Sequence, residues 1–219
     1  MEIHQLSKSV NFSNQKMSFL ISITNNISEI NLEKGVFIFI HRASKIPPHI
    51  GMVINGKLFE ISINGPEYNL SGSAMLQTAQ KRGVEVVFIE LITPNLYTTE
   101  ENSLRQLTEV GGVINTKEIE LLITNLVKHY FKVSNTVSCL NPIKDFIQKT
   151  YQIDVSRANF IFELLPILYD KNFVKNTYQV NLTNKLINHS FLLKKYTKQD
   201  IENSIAAVNR KNNSEVKIS

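Results

Sequence analysis

Several residue types are scarce in this 219-residue chain, and each scarcity excludes a class of protein. The chain has one cysteine, Cys139, together with eight glycines, six prolines and no tryptophan. A single cysteine excludes an internal disulfide and a zinc site built on several cysteines. With 42% hydrophobic residues, the composition is neither disordered nor collagen-like. We therefore expect a globular protein in a reducing, cytoplasmic compartment.

Long apolar runs and several cofactor motifs are also missing. No stretch approaches the length that spans a bilayer, and the first residues lack the pattern of a secretion signal. The chain has no His-Glu-x-x-His pattern, no Gly-x-x-x-x-Gly-Lys-Ser/Thr loop and no Gly-x-Ser-x-Gly elbow. We expect no transmembrane segment, no metal site and no cofactor.

Positive charge is concentrated at the C-terminal end. Residues 171–219 carry a net charge of +6, whereas residues 1–170 carry −1. Such a segment could bind an anionic partner, or it could be a solvated surface helix. The segment lacks the arginine runs and spaced aromatic residues of a nucleic-acid site, so we expect no specific nucleic-acid partner.

Strand patterns dominate the first half of the chain and helix patterns the second half, which predicts an α+β fold. Three segments follow from this reading: an N-terminal extension (1–30), a catalytic domain (31–170) and a basic, partly helical C-terminal segment (171–219). Strands are predicted at 35–40, 50–54, 57–61 and 84–92, with a loop at Gly65–Gly72. Helices are predicted at 73–82, Thr99–Glu109, 116–132, from Cys139 or Asn141 to about 151, 159–169 and 197–209, while residues 171–195 stay unassigned.

The two strands around Asn55-Gly56 form the most informative local pattern. Asn-Gly favours a two-residue hairpin turn, and alternation of side chains then defines two faces. One face is almost entirely apolar and should be core. The other face carries His49, Glu60 and Ser62, and the diagonal relation of His49 and Glu60 allows a hydrogen bond between them. Ser62, opposite His49, is a second candidate for orienting the imidazole, and His41 should lie nearby.

Cys139 lies at the predicted start of a helix, where Pro142 suits the first turn. A helix N-terminus and a nearby imidazolium both favour a thiolate, which is the nucleophilic form of cysteine. The backbone N–H of Cys139 could also stabilise an oxyanion. The alternative is a buried structural cysteine, which is common in proteins.

The segments Leu32–Ile40, His49–Ile54, Asn55–Glu60 and 136–147 together resemble the circularly permuted papain-like proteins of the NlpC superfamily, which include the lecithin retinol acyltransferase-like enzymes. In that group the histidine strand precedes the cysteine helix, as it does here. The resemblance implies a small antiparallel sheet packed against helices. It also implies that Cys139 is the nucleophile, His49 the general base and Glu60 the residue that orients His49.

The resulting hypothesis is a thiol-dependent hydrolase or acyltransferase, such as a cysteine peptidase or amidase, that forms an acyl-enzyme on a peptide or an acylated small molecule. A non-catalytic module of the same fold, binding a peptide or lipid in its cleft, is the second hypothesis. An interaction protein without cleft chemistry is the third.

Overall fold

The structure, a computed structural model, describes residues 18–93 and 116–215. Within these residues the chain forms nine β-strands and five α-helices. The strands are β1 (Phe19–Ser22), β2 (Val36–His41), β3 (His49–Ile54), β4 (Lys57–Ser62), β5 (Gly65–Ser71), β6 (Val86–Leu91), β7 (Val174–Val180), β8 (Leu186–Ile187) and β9 (Ser190–Leu193). The helices are α1 (Gly72–Arg82), α2 (Thr116–Tyr130), α3 (Asn141–Tyr151), α4 (Ile161–Asp170) and α5 (Lys198–Glu215).

Six strands form one antiparallel sheet in the order β5-β4-β3-β2-β6-β7. The β3–β4 register pairs Ile54 with Lys57, as a two-residue turn requires. Asn55 has φ 47° and Gly56 has φ 81°, and positive values at both positions define the tight hairpin turn that the sequence predicts.

Apolar side chains cover both faces of this sheet. Ile50 and Met52 of β3 belong to a large core shared with α2, α3 and α4. On the opposite face, Phe39 and Val53 join a smaller core that includes Ala79 of α1. Because β3 is covered on both sides, its ends are the places where a polar side chain can reach solvent.

A second sheet, in the order β1-β9-β8, joins the two ends of the described chain. Phe19 pairs with Leu193 in antiparallel register. Thr177 of β7 is fully buried and donates a hydrogen bond to the backbone carbonyl of Ser22. The N-terminal strand and the strand that precedes α5 are thereby attached to the edge of the main sheet.

The predicted α+β class is confirmed. The predicted loop at Gly65–Gly72 is wrong, because β5 occupies Gly65–Ser71 and pairs with β4. Glycine, proline and asparagine favour a loop there, and it is pairing at the sheet edge that makes this segment a strand. The helix predicted at Thr99–Glu109 lies outside the described residues. The segment 171–219 supplies three strands as well as α5, and one of them, β7, is an edge strand of the main sheet.

Candidate active site

The β3–β4 hairpin places a histidine and a carboxylate in direct contact. His49 Nε2 lies 2.9 Å from Glu60 Oε2, and the two side chains are 29% and 14% exposed. They are the diagonal neighbours that the hairpin turn predicts. Because Nε2 faces the carboxylate, Nδ1 is the ring nitrogen left for a second partner.

Gly51 lies two residues after His49 and allows close packing at this point. A Cβ added to Gly51 would lie 2.3 Å from Phe39 Cζ and 2.9 Å from Glu60 Cβ. The Phe39 ring occupies that space, and its centroid is 6.4 Å from the His49 ring. The missing side chain at Gly51 therefore lets Phe39 pack beneath the His49–Glu60 pair.

Cys139 lies in a tight turn immediately before α3. The side-chain oxygen of Asn141 accepts hydrogen bonds from both the backbone N–H and the hydroxyl of Ser138, each at 2.8 Å. The backbone N–H of Asn141 donates to the Ser138 carbonyl at 3.1 Å. Helix α3 begins at Asn141 with Pro142 in its first turn, so the half-buried Cys139 precedes the helix by two residues. These contacts fix the backbone on both sides of the thiol.

Cys139 lines the same cavity as His49 and interacts with its imidazole, so the structure brings Cys139, His49 and Glu60 together. Burial by itself lowers the pKa of His49. Hydrogen bonds to Cys139 and Glu60, together with their negative charges, outweigh burial and raise the pKa of His49 to about 10. His49 is therefore protonated at neutral pH and places a positive charge next to Cys139.

A cavity of about 240 Å³ opens beside Cys139. Its lining includes the Pro47-Pro48 loop, Tyr196 and two α5 residues, Ile201 and Ile205. Most of these side chains are apolar. At about 30 Å³ for each water-sized group, the cavity holds roughly eight such groups. It is large enough for a short apolar acyl group or side chain next to the thiol.

A second cleft of about 770 Å³ lies on the α1 side of His49 and is lined by His41, Glu60 and Arg82. His49 lines both clefts, whereas Cys139 lines the 240 Å³ cavity and not the larger cleft. The imidazole therefore separates an apolar cavity with the thiol from a more polar cleft with the carboxylate.

Ser62 and His41, the two further residues that the sequence places near His49, lie next to the site. The Ser62 hydroxyl donates to the Gly65 carbonyl at 3.3 Å, within the β4–β5 turn, so this contact does not orient His49. The His41 ring meets the His49 ring edge-on at 6.4 Å. Burial, followed by the positive charges of His49 and Arg42, lowers the pKa of His41, so this second histidine stays neutral beside the imidazolium.

Tyr196 is a site residue that no pattern in the sequence predicts. It lines the cavity next to Cys139 and is only 7% exposed. The sequence predicts a C-terminal helix from Thr197, but no local pattern indicates that this helix packs across the cysteine. The placement depends on the pairing of β9 with β1 and on the packing of α5, which are both long-range contacts.

Within residues 18–93 and 116–215, no three histidine, cysteine or carboxylate side chains are grouped as metal ligands. In the same part of the chain, no helix combines the length and the apolar content needed to cross a membrane. An anionic partner for the basic C-terminal segment stays a prediction.

In comparisons with known proteins, no family model matches this chain, and no curated protein or solved structure is significantly similar to it.

Proposed function

We propose that this protein is a thiol-dependent hydrolase or acyltransferase that acts on an amide bond through an acyl-enzyme. The observation that carries the proposal is the double contact of His49, with Glu60 through Nε2 and with the Cys139 thiol. A carboxylate, an imidazole and a thiol in series form an activated nucleophile. The cavity beside Cys139 provides space for the acyl part of a substrate.

The proposed reaction begins when the Cys139 thiolate attacks the carbonyl carbon. A C–S bond forms, and one electron pair of the C=O bond moves to the oxygen. The backbone N–H of Cys139 makes no hydrogen bond within the described residues and can donate to this oxyanion. When the pair returns, the C–N bond breaks, and the His49 imidazolium gives its proton to the leaving amine.

The thioester is released in a second step. A water molecule or an acceptor amine attacks the carbonyl carbon, and neutral His49 takes the proton of that nucleophile. Collapse of the second oxyanion breaks the C–S bond and returns the thiolate beside the imidazolium. Attack by water gives hydrolysis, and attack by an amine gives acyl transfer.

The chain order supports a permuted papain-like fold as part of this proposal. The histidine and carboxylate strands precede the cysteine turn and its helix, which is the order in the NlpC-superfamily enzymes that the sequence resembles. A peptide or an acylated small molecule is the proposed substrate, and the apolar lining of the cavity favours an apolar acyl part. A thiol nucleophile must stay reduced, which fits the expected cytoplasmic location.

An activated ester tests the proposal, because it acylates a cysteine by the same attack. We expect p-nitrophenyl butyrate to give a burst of p-nitrophenolate and a butyryl group on Cys139, detected by intact-mass and peptide mass spectrometry. Cys139→Ser should abolish the thioester and His49→Asn should slow its formation. His189→Asn changes an exposed histidine outside the cavity and should leave the burst unchanged.

The proposal fails if the wild-type protein gives no adduct on Cys139, or if His49→Asn reacts as fast as wild type. Binding of the ester or of a peptide in the cavity without acylation would instead favour the non-catalytic module.

A further inference from the structure

The backbone N–H of Cys139 is one hydrogen-bond donor to the oxyanion of the proposed reaction. Oxyanion sites usually have two such donors. Tyr196 lines the same cavity as Cys139. We propose that the Tyr196 hydroxyl is the second donor to the oxyanion that forms on the Cys139 acyl centre. This inference rests on the proposed function and assigns a role to the C-terminal segment within it.

Two phenylalanines of the α4 N-terminus hold the Tyr196 ring in place. Phe160 and Phe162 stack on each other with centroids 5.0 Å apart and planes 11° apart. Tyr196 meets Phe160 at 5.2 Å and Phe162 at 5.3 Å, edge-on in both cases. Such edge contacts on two rings restrict rotation and fix the direction of the hydroxyl.

The backbone around Tyr196 is also fixed on both sides. Leu193, at the end of β9, pairs with β1 and is 1% exposed. On the other side, the Asp200 carboxylate accepts hydrogen bonds from the Thr197 backbone N–H at 2.7 Å and from the Thr197 hydroxyl at 2.8 Å, which caps the start of α5. A donor held in this way needs little reorganisation when charge develops on a substrate.

The Tyr196 hydroxyl has a proton to give. Its oxygen interacts with the backbone N–H of Ile161, the first residue of α4. Because the oxygen accepts in this contact, the hydroxyl proton is left for a second partner. Burial, followed by the negative charge of Cys139, raises the pKa of Tyr196 above its ordinary value, so the hydroxyl keeps its proton throughout the neutral range.

Asn159 also lines the cavity and carries a side-chain N–H group. Its Nδ2 donates to the Arg157 carbonyl at 3.4 Å, and its backbone N–H donates to Glu163 at 2.8 Å. The partner of the Tyr196 hydroxyl is a donor, the backbone N–H of Ile161, and this contact does not use the hydroxyl proton, which makes Tyr196 the stronger candidate.

Two reactions of Cys139 separate an oxyanion donor from a residue that merely shapes the cavity. Acylation by p-nitrophenyl butyrate passes through an oxyanion as the C–S bond forms and p-nitrophenolate leaves. Alkylation by iodoacetamide displaces iodide at a saturated carbon and forms no oxyanion. An oxyanion donor should therefore matter for acylation and not for alkylation.

Tyr196→Phe keeps the ring and its contacts with the two phenylalanines while removing the hydroxyl. We expect acylation to fall by about 10²-fold, the usual effect of removing one oxyanion donor. Alkylation should stay within about twofold of wild type. Tyr130→Phe is the matched control, because that hydroxyl donates to Asp145 at 2.7 Å outside the cavity, and it should change neither reaction.

The inference is overturned if Tyr196→Phe is acylated as fast as wild type. It is also overturned if acylation and alkylation fall equally, since that result indicates a displaced thiol rather than a lost donor. Near-ultraviolet circular dichroism of each variant checks that the packing is retained. If the wild-type protein itself is never acylated, the proposed function is wrong, and the role of Tyr196 is wrong with it. A wild-type protein that is acylated, beside an equally reactive Tyr196→Phe, refutes the role of Tyr196 alone.

Discussion

Replacing Gly51 by alanine tests how strongly the stability of the protein depends on the absence of a side chain at this position of the hairpin. The new Cβ would lie 2.3 Å from Phe39 Cζ, whereas ordinary contacts begin at 3.4 Å, so the ring must retreat by about 1.1 Å. Phe39 is 1% exposed and is packed within the smaller core. Such overpacking costs about 1–3 kcal/mol of unfolding free energy. For a chain of this size the melting temperature should fall by roughly 2–12 °C.

The assay is urea unfolding together with thermal melting, both followed by far-ultraviolet circular dichroism. We also expect slower acylation of Cys139, because the new Cβ would lie 2.9 Å from Glu60 Cβ and would push that residue away from His49. A Gly51→Ala protein within about 0.5 kcal/mol of wild type would refute the packing argument.

A second substitution shows whether the Phe39 ring is the cause. Phe39→Leu removes Cε1 and Cζ, the two ring atoms closest to the new Cβ. The double variant Gly51→Ala/Phe39→Leu should be more stable than the two single effects added together predict. We expect its free energy of unfolding to exceed that sum by about 1 kcal/mol or more, which is the range for residues in direct contact. Simple additivity would show that the cost arises elsewhere.

Two further predictions concern carboxylates. Glu60→Gln keeps the shape but removes the charge that helps to raise the pKa of His49 to about 10. Acylation by an amide substrate, whose leaving amine takes the His49 proton, should therefore be lost at alkaline pH from about one pH unit lower or more, and an unchanged pH–rate profile would contradict this. Glu90 is 8% exposed, and although burial raises its pKa, hydrogen bonds from Lys175, Asn176 and Tyr178 lower it below the ordinary value. Its stabilising effect is thus present at neutral pH and is lost as the pH falls through that lowered pKa. Glu90→Gln should cost about 1–3 kcal/mol at neutral pH and weaken the acid dependence of the unfolding free energy, and an unchanged dependence in urea titrations would be the opposing result.

Local signals in the sequence predict the hairpin and its two faces. The Asn55-Gly56 turn fixes the register, and alternation then places His49 beside Glu60. Pro142 indicates the helix start near Cys139, and the structure begins that helix at Asn141.

Long-range contacts determine what the sequence does not predict. Strand β5 depends on pairing with β4 at the sheet edge, and β7 depends on pairing with β6, which is more than eighty residues away along the chain. Tyr196 reaches the cavity because β9 pairs with β1 and α5 crosses the site. No periodicity or turn motif within these segments reports such contacts.

The most direct test of the central claim is the rate at which iodoacetamide alkylates Cys139 at mildly acidic pH. The positive charge of His49 next to Cys139 should make this residue a stronger nucleophile, so labelling should be at least about tenfold faster than that of a free thiol. His49→Asn should lower the rate toward the free-thiol value. Labelling of the folded wild-type protein no faster than a free thiol, and unaffected by His49→Asn, would contradict the account.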